Sequence, residues 1–94
     1  MNTVVTTGAW SERKVPLLGD PIFNIFEQSV RKLMGVEYNL LAYYQQVVNG
    51  MNYCLEVESK VIAPGTSIEI KWAYVHVSIS GQIGPVEFKD HAPV

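Results

Sequence analysis

Gln46-Val47-Val48-Asn49-Gly50 joins two runs whose apolar residues alternate. On the incoming side, Val36, Tyr38, Leu40, Ala42 and Tyr44 share one parity. On the outgoing side, Met51, Tyr53, Leu55 and Val57 share one parity, and Asn52, Glu56 and Glu58 take the other. A period of two marks a β-strand with one buried face. Asn49-Gly50 predicts a type I′ turn between the strands, because both residues tolerate positive φ. The stretch therefore predicts a hairpin of Val36 to Val48 against Met51 to Val61. Its tip is unusual in carrying Val47 and Val48, where a solvent-facing tip is ordinarily polar. Two readings stand: the valines simply end a strand, or they offer apolar surface for a partner to cover.

Upstream of the hairpin the period is 3.6. Asp20 suits an N-cap, Pro21 the first helical position and Gly35 the residue just past the C-terminus. Ile22, Phe26, Val30 and Leu33 fall within an arc of about 80° on a helical projection, with Phe23 and Met34 at its edge. Asn24, Glu27, Gln28, Arg31 and Lys32 occupy the other side, where Glu27 and Arg31 can pair four residues apart. This predicts an amphipathic helix lying on a flat surface. Before it, Lys14-Val15-Pro16-Leu17-Leu18-Gly19 reads as a linker and Glu12-Arg13-Lys14 as a solvated charge run. Met1 to Thr7 has no period and is expected to hang free as a flexible tail. In Gly8-Ala9-Trp10-Ser11, glycine permits bending and close approach of another backbone; Trp10 either belongs to that leader or folds onto the body.

Downstream, Ala63-Pro64-Gly65-Thr66 predicts a turn. The next strand begins at Ser67 and sets Ile68, Ile70, Trp72 and Tyr74 on one parity, then Val75, Val77 and Ile79 on the other. A parity switch predicts a β-bulge near Ala73. Ser80 to Pro85 reads as a turn, Val86 to Lys89 as a short last strand, and Asp90 to Val94 as a frayed end. One helix followed by antiparallel strands with short connections predicts an α+β fold, a single domain over residues 1–94, with the helix across one sheet face.

Composition agrees with one ordinary globular domain: 94 residues, 48% hydrophobic, 17% charged and net charge −2. No basic cluster suggests nucleic acid, and no apolar run is long enough to span a bilayer. The N-terminus has no basic and apolar secretory pattern, and the single cysteine, Cys54, excludes an internal disulfide. A reducing, cytoplasmic setting is expected. Cys54 shares a parity with Glu56 and Glu58, whose carboxylates blunt a thiol; no motif joins it to His76 or His91. The widely spaced histidines and cysteine make no recognisable metal site, and no glycine-rich loop cradles phosphate. No enzyme, cofactor or metal is expected. Recognition remains, through segments that a meander brings to one end: Gly8 to Ser11, the Gln46 to Gly50 tip and the turn at Ile79-Ser80-Gly81-Gln82.

Gln46-Val47-Val48-Asn49-Gly50 resembles the QVVAG loop of the cystatins, with Asn49 in place of alanine and Asn52-Tyr53 matching the family's continuation. Gly8-Ala9-Trp10-Ser11 resembles the glycine trunk of plant-type members, with Ala9 replacing one glycine, and Glu87-Phe88-Lys89 is similar to their ending. The Pro-Trp pair of many cystatins has no counterpart at Ile79 to Gln82, as in the stefins, which are single-domain, cytosolic and free of disulfides. The resemblance implies one long helix packed on a curved antiparallel sheet of four to five strands. It implies a reversible, tight-binding inhibitor of papain-like cysteine proteases, cathepsin L-type enzymes among them. Gly8, Ala9, Trp10, Gln46, Val47, Val48, Asn49, Gly50, Ile79, Ser80, Gly81 and Gln82 would enter the protease cleft. The alternative is a non-inhibitory protein-binding module of the same fold. A monomer is expected, and a dimer formed by exchange of hairpins is compatible with the tip.

Overall fold

A computed structural model describes residues 8–33, 35–61, 65 and 67–93. The elements follow in the order α1 (Ile22–Gln28), β1 (Val36–Val48), β2 (Gly50–Val61), β3 (Ile68–Val77) and β4 (Glu87–Lys89). The four strands make one antiparallel sheet in sequence order, β1-β2-β3-β4. With the helix packed on one face, the architecture is α+β. The free tail expected at residues 1–7 and most of the turn expected at residues 63–66 lie outside the described residues.

The helix begins where its punctuation predicts. Asp20 Oδ1 accepts the Ile22 N–H at 3.0 Å, which satisfies one of the donors that a helix start leaves orphaned. The other carboxylate oxygen, Oδ2, accepts the Tyr43 hydroxyl at 3.1 Å, so the cap also ties α1 to β1. The helix ends earlier than the apolar stripe predicts, after seven residues. Ser29 is the cause: it leaves the helical region at φ −115° and ψ −83°, and its buried hydroxyl donates to the Ile25 carbonyl at 2.6 Å. Such a back-bond competes with the helical ladder. The chain then winds irregularly, Arg31 N–H reaching back to the Phe26 carbonyl at 3.0 Å. The stripe survives this change in part. Ile22, Phe26 and Val30 are buried, while Leu33 lies on the surface.

Ile22, Phe26 and Val30 pack on Leu55 and Val57 of β2 and Ala73 and Val75 of β3, with Tyr38, Leu40, Tyr43, Tyr53 and Phe88 around them. The bulge expected near Ala73 is absent: β2 and β3 pair without a shift from Met51↔Val77 to Lys60↔Ile68. Instead the register slips in β1, between Leu40 and Ala42. Tyr38 and Leu40 thus face the helix with Tyr43, and Ala42 and Tyr44 face the other way, opposite Glu56 and Cys54. Without the bulge β3 keeps a single parity, that of Val75 and Val77, so the expected switch from Ile68, Ile70, Trp72 and Tyr74 does not occur. Ala73 and Val75 are the core residues, and Ile68 and Ile70 lie exposed on the outer face. Both faces of β3 are apolar near its middle because both are covered, one by α1 and one by the leader described next.

Candidate functional site

Residues Gly8 to Lys14 form a trunk that runs antiparallel along the free edge of β1. Gly8 N–H donates to the Val47 carbonyl at 3.0 Å and Ser11 N–H to the Gln45 carbonyl at 2.8 Å. Lys14 and Tyr43 exchange both backbone bonds at 2.9 Å. Side chains add to the pairing: Gln46 Nε2 donates to the Gly8 carbonyl at 2.8 Å, and Gln45 N–H to Ser11 Oγ at 3.0 Å. Gly8 adopts φ +88° with open space where a Cβ would stand, so glycine is needed there for backbone conformation and not for room. Trp10 bridges to Gln46 and lies half-buried, edge-on to Tyr74 at 5.9 Å between ring centroids. The expected trunk is therefore an ordered, docked strand from Gly8 onward, and Trp10 anchors it to the outer face of the sheet.

The hairpin tip is tighter than a type I′ turn. No described residue other than glycine has positive φ, and only Gly50, at +99°, takes the left-handed region in the tip. Val48 pairs with Gly50, leaving Asn49 alone and exposed at the apex. Val47 and Val48 are half-buried. A Cβ on Gly50 would overlap the Val77 carbonyl and stand 3.2 Å from Ser78 Cα. That contact presses the tip against the start of the β3–β4 connection. There Ile79, Ser80, Gly81 and Gln82 form a closed turn: Gly81 N–H donates to the Ser78 carbonyl and Ser78 N–H to the Gln82 carbonyl, both at 2.9 Å. Ile79 projects from it, 79% exposed. A shallow hollow lined by Asn49, His76, Ser78, Ile79 and Ser80 separates tip and turn.

All three expected segments thus stand side by side at one end of the sheet, in the order trunk, tip, turn. Behind them runs a chain of side-chain hydrogen bonds. Gln46 Nε2 reaches Gly8, Asn52 Nδ2 donates to Gln46 Oε1 at 2.8 Å, and Asn52 Oδ1 meets His76 Nδ1 at 2.7 Å. This row links the trunk, β1, β2 and β3. Asn52 and His76 were not among the expected site residues, because a two-residue turn at Asn49-Gly50 would set Gln46 opposite Tyr53, whereas the tighter tip pairs Gln46 with Asn52 and so brings His76 beside it.

No protein-family model, curated protein or solved structure matches this chain.

The groups capable of chemistry lie elsewhere, on the outer face. Cys54 is completely buried, and burial pushes its thiol up to about 12, so it stays protonated at neutral pH and is a poor nucleophile. Its neighbour Tyr74 is pushed up as well, chiefly by burial. No described group of three or more histidine, cysteine or acidic side chains could hold a metal ion. Among the described residues no helix is long and apolar enough to cross a membrane.

Arg13 corrects the sequence reading. It is not simply part of a solvated charge run, since its Nε and Nη2 grip the two carboxylate oxygens of Glu56 at 3.2 and 2.8 Å. Trp72 Nε1 donates to Glu56 Oε1 at 3.2 Å. The Arg13 hydrogen bond, and then that from Trp72, hold the Glu56 carboxyl below its ordinary range against the opposing effect of burial. A carboxyl lowered in the folded state contributes stability above its unfolded value, near 4.5, and loses it as pH falls through the folded value. Glu56→Gln is therefore expected to melt below the wild type at pH 7, and the gap should narrow in acid, below the unfolded carboxyl range. Thermal melts under the two conditions check this; a gap that does not change with pH would contradict the assigned ion pair.

Proposed function

We propose that this chain is a cystatin-like, reversible inhibitor of papain-like cysteine proteases, acting in a reducing compartment. The observation that carries the reading is the juxtaposition of Gly8 with Val47 and of Gly50 with the Val77 carbonyl. It aligns a glycine-hinged trunk, an apolar hairpin tip and a second turn at one end of a rigid sheet. A row of that kind fits a cleft as a wedge. Val47, Val48 and Ile79 supply apolar contact that gains from desolvation, and Asn49 and Gly81 keep the leading edge narrow. Inhibition is steric: the wedge covers the protease nucleophile without offering it a peptide bond in cleavable register. Rigid backbone at the tip keeps the ordering cost of docking small, and a few central apolar anchors dominate affinity.

Inhibition of papain or a cathepsin L-type protease on a fluorogenic peptide tests the reading. Val48→Asp, or removal of residues 1–8, is expected to weaken inhibition by well over tenfold, more than about 1.4 kcal/mol, with the melting temperature nearly unchanged. A full-length chain that leaves the protease active at micromolar excess would exclude the inhibitor. A specific feature favours a non-inhibitory binding module as the second reading: the apex residue, Asn49, is polar and exposed, and Ile79 to Gln82 contains neither proline nor tryptophan. That module predicts an inert protein in the protease assay whose fold is intact.

A further inference from the structure

The trunk has one feature that its backbone pairing does not require. Among the described residues, Arg13–Glu56 is the only ion pair joining trunk to sheet, and it spans 43 positions of sequence. The two ends differ sharply in environment: the Arg13 side chain is 47% exposed and that of Glu56 only 11%. A carboxylate so far removed from water needs a charged partner to remain there. Trp72 supplies one neutral donor, and Arg13 supplies the charge through two parallel N–H groups, the geometry only a guanidinium offers. The edge bonds of Gly8, Ser11 and Lys14 are neutral and lie near solvent. Bonds of that sort do little more than offset the entropy lost by the residues that make them. Trunk docking therefore depends on the clasp.

We propose that Arg13 is a positioning residue, whose grip on Glu56 lays the Gly8–Lys14 trunk along β1 before any partner arrives. Lifting the trunk removes the guanidinium together with part of the cover over Glu56, so the docked trunk gains a bidentate, half-buried ion pair that the lifted trunk lacks. Trp10, three residues ahead of Arg13, is then delivered onto Tyr74, and Gly8 is delivered beside Val47. The consequence for protease binding rests on the inhibitor reading; the docking itself does not.

Amide hydrogen exchange on the full chain reads the docking directly. In Arg13→Ala, the amides of Gly8, Ser11 and Lys14 are expected to exchange at least tenfold faster, while those of Leu55 and Val57 keep the wild-type rate. Arg13→Lys should restore part of the protection, because an ammonium replaces the charge and not the fork. With papain, Arg13→Ala should raise the dissociation rate about as much as removal of residues 1–8, and the combination should add little more. Unchanged exchange at Ser11 and Lys14 in Arg13→Ala overturns the proposal. A wild-type chain that fails to inhibit papain removes the inhibitor reading alone, and the exchange result then still decides on the clasp.

Discussion

Gly50→Ala is expected to lower the melting temperature and, on the inhibitor proposal, to remove inhibition in one step. Two causes add. The residue holds φ +99°, where a side chain costs about 1–3 kcal/mol of backbone strain. The new methyl would also collide with the Val77 carbonyl, and the Ser78 backbone at 3.2 Å closes the direction of escape. Neither obstacle is a flexible side chain, so the tip itself must swing away from the second turn. For a domain of this size each kcal/mol corresponds to about 4–8 °C, and a fall on the order of 10 °C is expected. Displacing the tip also breaks the alignment of trunk, tip and turn, so inhibition should drop by a factor of roughly a hundred or more, about 2.7 kcal/mol. Asn49→Ala is the control, at an exposed neighbour with ordinary φ, and should melt close to the wild type. A Gly50→Ala protein with wild-type melting and inhibition would refute the packed tip.

Leu55→Ala should have the largest effect on folding. Leu55 is fully buried between α1 and the neighbouring strands, and truncating such a leucine costs about 2–5 kcal/mol through lost transfer energy and the cavity left behind. Against the total stability of a small domain, about 5–15 kcal/mol, that is a large share, and a drop of roughly 15 °C in melting temperature is expected. The informative comparison is Ile70→Ala, at a position of similar hydrophobicity that is 42% exposed on the outer face. It should cost less than about 1 kcal/mol. Equal losses for the two variants would mean that the faces of the sheet are wrongly assigned. Chemical denaturation followed by circular dichroism measures both.

That comparison also marks where sequence reasoning stopped. Residues 36–61 announce their hairpin because alternation and Asn49-Gly50 agree, and β1 and β2 follow those bounds closely. In β3 the apolar residues change parity midway, after Glu69 and Lys71 and before His76. Ile68, Ile70, Trp72 and Tyr74 compete with Ala73, Val75 and Val77, and periodicity alone cannot choose a face that depends on what covers it. The bulge in β1 is hidden for a related reason: Leu40-Leu41-Ala42-Tyr43-Tyr44 is an unbroken apolar run, so a slip of one residue leaves no polar mismatch. The early end of α1 turns on a single hydroxyl, Ser29, in an otherwise regular stripe. The three segments of the candidate site could be ordered from topology, since alternate turns of a meander share an end. The Arg13–Glu56 pairing could not be foreseen, because the partners are 43 positions apart and neither the charge run nor the strand alternation that holds them points to the other.

The pairing of the trunk with β1 has a bearing on how the chain behaves when it is nicked. Gly8 to Lys14 occupies peptide groups along one margin of the sheet, the kind of row to which foreign strands add. Enzymatic clipping of that leader strips the cover from a long border bearing Tyr43, Gln45 and Val47. The same cut that would blunt the molecule as a plug would also leave it prone to clump.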